Sequence, residues 1–344
     1  MSKLRISGDA AIFYAGHAKK CTYNHIYVGR DVKSNPKILV VVEPNYEPFV
    51  VVKRAVWLAK LMNCDLQLAL CDPTANPLPI AVIATDKAGE FARAIKQAQV
   101  DLVDELASIA RDEGVTVTTE IVEDRSVAEA VIERADKSRP EYVVKGTQFH
   151  STAERSMLVD TDWYLARTCP FPIWFVKASE FGDAPLIVAA VDPTHSHDKP
   201  AVLDDTIIQS AKFVSERLGG ELHLFHSYHR LTEISSRAIK TIKPVKLEIE
   251  KIDKKIKREH RDALDALAKR NDIDDKFVHQ LPGRTSELLP AFVRTKKAQL
   301  VVMGALSRWG LKRMVIGSTA ERVMDHLPCD ILIVKPSTES DLDH

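Results

Sequence analysis

The sequence predicts an α/β protein made of two tandem, doubly wound, parallel five-stranded sheets. Three observations carry this expectation. The chain repeats itself, short apolar runs alternate with longer amphipathic stretches, and 344 residues at roughly 150 per domain suit two domains and a remainder. The repeat is seen where residues 38–44 (ILVVVEP) align with 187–193 (IVAAVDP), 142–146 (YVVKG) with 300–304 (LVVMG), and 170–177 (PFPIWFVK) with 328–335 (PCDILIVK). The two later pairs share one offset. The earlier pair differs from it by nine residues, which places an insertion in the first half of copy two.

Each copy opens on a strand, near 37–43 and 186–192, because an unbroken Val/Ile/Leu/Ala run closed by a carboxylate and proline is too short for a helix. In copy one, helices follow near 48–62, 88–113, 126–137 and 156–168, separated by strands near 65–71, 116–122, 141–146 and 172–176. In copy two the strands fall near 221–227, 276–281, 299–304 and 330–334, with four helices between them. Continuous rather than alternating apolar runs mean strands covered on both faces, hence parallel strands with right-handed crossovers. The helix near 244–270 carries Val245, Ile249, Ile252 and Ile256 on one stripe, which leaves its lysines a solvated face. The expected domains span 36–178 and 185–336, with a loosely ordered extension at 1–35 and an acidic tail at 337–344.

Lysine plus arginine equals aspartate plus glutamate at 48 each, so no global field exists to hold nucleic acid or an anionic membrane. Apolar runs such as 38–42 reach only a quarter of the roughly 20 residues a membrane span needs. The apolar stretch at 10–15 runs into His17, Lys19 and Lys20 and does not read as a secretory signal. Cys21, Cys64, Cys71, Cys169 and Cys329 are scattered and form no CxxC pair, which favours a reducing, cytoplasmic setting. Cys71 is the candidate among them for redox sensing.

Ligands of open parallel sheets bind beyond the carboxyl ends of the strands, where strand order reverses. In copy two those ends present Asp192, Ser227 and Gly304, and the chain runs on through 304–319 (GALSRWGLKRMVIGST) into a helix. Glycine permits close backbone approach, and Ser318 and Thr319 add hydroxyls to the free N–H groups of a helix start, a phosphate-binding arrangement. Copy one has Phe149, Val159 and Asp160 at the positions of Ser307, Gly317 and Ser318. Its loop carries Glu154, Asp160 and Asp162, whereas the loop of copy two carries Arg308, Lys312 and Arg313, so only copy two is prepared for phosphate. Glu43 keeps the carboxylate of Asp192, which leaves copy one a pocket for another ligand. His195, His197, His223, His226 and His229 lie near one another in the fold, yet His223 and His226 face opposite ways on a strand, and no metal is expected. Residues 161–163 (TDW) read as a helix start with a packed indole. P-loop, GxSxG and HExxH motifs are absent, so no catalytic residue is assigned.

Gly304, Ser307 and Gly317-Ser318, with Asp192 after the first strand, resemble the universal stress proteins, and the likeness covers about 37–335 as two domains. Residues 161–163, Arg167, Cys169-Pro170 and 172–177 in copy one, with 318–321 and 325–327 in copy two, are similar to the tandem type of that family. The resemblance implies the adenine nucleotide alpha hydrolase-like fold and a stress-response role. It also implies ATP or a similar phosphorylated ligand held by Val191, Asp192, Ser227, Met303, Gly304, Leu306, Ser307, Gly317, Ser318 and Thr319. Ser307 stands where nucleotide-binding members have glycine. A ligand-free scaffold and a slow, metal-assisted ATP hydrolase are the alternatives. The family's dimers further imply that the fifth strands of the two copies pair within this chain, a pseudo-dimer whose regulatory protein partner is unknown.

Overall fold

The computed structural model describes residues 35–72, 88–122, 126–147, 159–177, 181–182, 184–194, 201–230, 248–305 and 323–335. The N-terminal extension, the acidic tail and the 306–319 loop lie outside them. The first half runs β1 (Lys37–Val42), α1 (Pro48–Met62), β2 (Asp65–Cys71), α2 (Ala88–Asp112), β3 (Val117–Val122), α3 (Val127–Ser138), β4 (Tyr142–Gly146), α4 (Val159–Thr168) and β5 (Ile173–Val176). The second half comprises β6 (Leu186–Ala190), α5 (Ala201–Leu218), β7 (Glu221–Tyr228), α6 (Ile249–Arg270), β8 (Val278–Pro282), α7 (Thr285–Lys296), β9 (Leu300–Gly304) and β10 (Asp330–Val334).

Local chemistry sets the helix ends. Proline opens α1, where its missing N–H costs nothing, and Asn63 closes it in the left-handed conformation at φ 54°. The Ser126 hydroxyl accepts from the Glu129 N–H at 3.4 Å and caps α3. In α6 the stripe anticipated from the sequence continues into Leu264 and Leu267, which are buried, while Lys254, Lys255 and Lys257 are exposed.

The halves are the two five-stranded parallel arrays expected from the sequence. They merge into one ten-stranded sheet of order β3-β2-β1-β4-β5-β10-β9-β6-β7-β8, with parallel pairing inside each half and one antiparallel pair at the centre. That pair sets Ile331 opposite Phe175, Leu332 opposite Trp174 and Ile333 opposite Ile173. Two apolar layers cover the sheet. One holds Val40, Leu68, Trp174, Leu224 and Leu332, and the other holds Val143, Phe175, Phe225, Val301 and Ile333.

The seam between the halves is polar as well as apolar. Asp330 is fully buried and accepts from Trp174 Nε1 at 2.8 Å and the Lys177 backbone N–H at 2.9 Å. Its carboxylate also pairs with Arg54 at 3.2 Å, and the guanidinium lies 4.0 Å over the Phe181 ring. Two lysines cross in opposite directions. Lys177 donates to the carbonyls of Met324 and Leu327 at 3.0 and 2.6 Å, while Lys335 donates to those of Arg167 and Cys169. Each half thus supplies the cation that satisfies helix-end carbonyls of the other.

Gly146 ends β4 against α1. A Cβ there would stand 2.7 Å from the Tyr46 carbonyl oxygen and 2.8 Å from Val51 Cγ2, and the first of these is backbone that cannot swing aside. Gly146→Ala is expected to destabilise the protein by about 1–3 kcal/mol of overpacking. Urea unfolding checks this, and an unchanged midpoint would show that the loop after β1 yields.

Candidate functional site

Strand order reverses between β1 and β4 in the first half and between β6 and β9 in the second, so each half has a crevice at those carboxyl ends. The two crevices are built from aligned positions but filled differently.

In the first half, Glu43 follows β1, Lys145 is the second-last residue of β4 and Asp162 lies on α4. Lys145 Nζ pairs with Glu43 Oε2 and, at 2.8 Å, with Asp162 Oδ1, and it lies 5.0 Å from the Tyr46 ring. All three charged side chains are buried, Lys145 at 2% exposure. Burial opposes the charge on Lys145, yet the carboxylates of Asp162 and Glu43 outweigh it and hold the ammonium above the usual lysine pKa. Burial also pushes the Glu43 carboxyl up, against the pull of Lys145. This corrects the expectation of a pocket open to another ligand around Glu43, because its carboxylate is engaged by the chain's own ammonium. Trp163 is packed in the adjacent apolar layer, as anticipated.

The second half has Met303 where the first has Lys145, and Ala320 where the first has Asp162. Val191 and Asp192 follow β6, Ser227 lies within β7, and Met303 and Gly304 end β9, so these candidates come together across three neighbouring strands. Asp192 is half-buried. Its backbone N–H donates to Asp204 Oδ1 at 3.1 Å and its Oδ1 accepts from Thr194 at 3.0 Å. Ser227 is the second-last residue of β7 rather than the first beyond it, and its hydroxyl is 2.6 Å from that of Thr285 at the start of α7. Gly304 has a packing reason to be glycine, since a Cβ would stand 2.7 Å from the buried Leu203 side chain of α5. Leu306, Ser307, Gly317, Ser318 and Thr319 lie outside the described residues, as do His195 and His197.

The histidines form two separate pairs on opposite faces of β7. His223 Nδ1 is 2.7 Å from His279 Nε2, and its Nε2 contacts the Glu221 carboxylate. His226 Nδ1 is 3.1 Å from the Val191 carbonyl, and its Nε2 is 2.7 Å from His260 Nδ1. Burial, then His223 and Lys296, pull the His279 pKa down to about 4. In each pair the central ring is bonded on both sides, so its nitrogens diverge. Among the described residues no group of three or more His, Cys, Asp or Glu is placed to hold a metal. Cys71 is 1% exposed and burial, with Glu43 nearby, pushes its thiol up to about 12, which disfavours the reactive thiolate.

Sequence reading missed Lys145 as the partner of Glu43 and Asp162. The signal was a lysine in the apolar run YVVKG, aligned with methionine in LVVMG. It also missed His260, which continues the stripe of Ile249, Ile252 and Ile256 at the same helical spacing.

A family model described as "Universal stress protein family" matches residues 35–177 and again 182–335. Universal stress protein E of Salmonella typhi is 25% identical over 300 residues, covering 87% of this chain and 94% of that relative. The Universal stress protein E homolog of Haemophilus influenzae is 23% identical over 311 residues, with coverages of 88% and 98%. Among solved structures, a protein of unknown function from Pseudomonas aeruginosa PAO1 superposes with TM-score 0.64 at 23% identity, covering 88% of this chain and 93% of that one. A universal stress protein from Archaeoglobus fulgidus DSM 4304 gives TM-score 0.60 at 16% identity, with coverages of 89% and 98%. These two structures bear on the fold.

Proposed function

Because the chain belongs to the universal stress protein family along both of its halves, we propose that it serves the stress response by binding ATP or a related phosphorylated ligand in its second half. Occupancy then regulates protein partners. The observation that carries this reading is the difference between the two crevices. Lys145, bridging Glu43 and Asp162, fills the first with a buried ion cluster, whereas the second has Met303 and Ala320 at those positions and leaves Asp192 half-exposed at the strand ends. In this reading Val191, Asp192, Ser227, Met303 and Gly304 border the sugar and base. Leu306, Ser307, Gly317, Ser318 and Thr319 cradle the phosphates, with Arg308, Lys312 and Arg313 supplying positive charge.

The buried ion cluster of the first crevice favours a scaffold role for that half, with β5 paired to β10 as a pseudo-dimer seam. A cytoplasmic site of action fits the four described cysteines, all buried and none in a disulfide. Among the described residues no helix is long and apolar enough to cross a membrane.

Titration calorimetry with ATP tests the reading. The wild type is expected to bind at a single site. Gly317→Val with Ser318→Asp, which imports the first half's residues, is expected to weaken binding at least about tenfold by removing N–H approach and adding a like charge. Indistinguishable heats for the two proteins would remove the idea.

A further inference from the structure

The second histidine pair fixes a proton arrangement at the edge of this crevice. The Val191 carbonyl can only accept, so the His226 Nδ1 that faces it at 3.1 Å carries a hydrogen. His226 is 2% exposed, and a neutral ring is the form that burial favours there, which leaves its Nε2 bare. That bare nitrogen faces His260 Nδ1 at 2.7 Å, so His260 donates from Nδ1 and its own Nε2 is left as an acceptor. Burial lowers the His260 pKa, only partly offset by Asp192, which keeps this ring neutral as well. The chain of bonds therefore has one direction, from His260 through His226 to the backbone at the end of β6.

Its position is as telling as its polarity. Val191 and Asp192 directly follow β6, His226 lies two residues before the end of β7, and the His260 ring lies 5.4 Å from that of Tyr228, the last residue of β7. His260 thus stands over the carboxyl ends of β6 and β7, within electrostatic reach of the Asp192 carboxylate. Two acceptors at one crevice edge suit a ligand group rich in donors and poor in negative charge, which in a phosphorylated nucleoside is the sugar diol.

We propose that His260 is a specificity-determining hydrogen-bond acceptor of the second half's site, selecting ligands that present a sugar hydroxyl to its Nε2 beside Asp192. His226 is the positioning residue that holds His260 in the required tautomer. The proposal rests on the nucleotide reading above and adds to it a preference for an intact ribose.

Two measurements on the full chain test it. Nitrogen-15 spectra of the imidazoles in the ligand-free protein are expected to show both His226 and His260 as neutral Nδ1–H tautomers. An Nε2–H tautomer for His260 would overturn the proposal whether or not any ligand binds. Calorimetry with ATP and its 2′-deoxy and 3′-deoxy forms is the second. The wild type is expected to favour ATP over at least one deoxy form by about tenfold or more, because a site group left unpaired is costly. In His260→Asn the amide nitrogen can still donate to His226, but no acceptor remains at the Nε2 position. The ratio is expected to fall towards one, with tripolyphosphate binding unchanged. An unchanged ratio in that variant overturns the role of His260 while ATP binding itself stands. If the wild type binds none of the three nucleotides, the nucleotide reading fails and this proposal with it.

Discussion

Lys145→Met is expected to cost about 3–5 kcal/mol of stability, because it strands two carboxylates in a site built around an ammonium. Glu43 and Asp162 are both under 10% exposed, and burial already raises the Glu43 carboxyl with the lysine present. Without it, one or both acids must take up a proton or draw in water. The loss measured in urea is therefore expected to shrink as pH falls, because burial favours the neutral form of the Glu43 carboxyl. Combining Lys145→Met with Glu43→Gln and Asp162→Ala removes every charge of the cluster. That variant is expected to recover most of the lost stability, since a buried ion cluster replaced as a unit is often tolerated. A loss below about 1 kcal/mol for the single variant would mean that water reaches the two carboxylates.

Asp330→Ala is expected to be comparably damaging, again about 3–5 kcal/mol, since it leaves the Arg54 charge, the Trp174 indole N–H and the Lys177 amide without their acceptor at the central seam. The same carboxyl predicts a pH signature. Burial raises its pKa from 3.8 to about 6, against the lowering effect of Arg54 and the hydrogen bonds of Trp174 and Lys177. Between those two values the native state holds a proton that the unfolded chain has released. This group's contribution is thus complete below about pH 4 and is lost as pH rises through 6, by at most roughly 3 kcal/mol. Asp330→Asn cannot titrate. The stability difference between wild type and Asp330→Asn is expected to be larger at pH 4 than at pH 7, and a difference independent of pH would show that Asp330 stays ionised throughout.

Most of the fold was legible because its signals are local. Strands β1, β4, β5, β6, β9 and β10 declared themselves as continuous apolar runs, and duplicated blocks such as YVVKG and LVVMG gave each of these six an independent second reading. What sequence pattern could not convey were pairings between side chains far apart in the chain. Lys145 meets Asp162 only because α4 packs over β4, and His260 meets His226 only because α6 returns across β7. Glu43 was recognised as a carboxylate at a strand end, but its meaning depended on a partner 102 positions later. Ser227 was placed at the right end of the right strand, yet Thr285, which shares its hydrogen bond, carried no motif. The phosphate-loop reading of 306–319 rests on sequence, and the nucleotide titrations decide it.

The crossed lysines bear on why two unequal crevices can coexist. Lys177 closes the helical turn before β10 in the second half and Lys335 the end of α4 in the first, as the two subunits of a symmetric assembly would do for each other. In an assembly of identical subunits every substitution appears twice, so sealing one mouth with a lysine would seal both. Covalent fusion lifts that constraint. Here one half keeps an ion cluster where the other keeps a methionine, and the pairing of β5 with β10 joins the two.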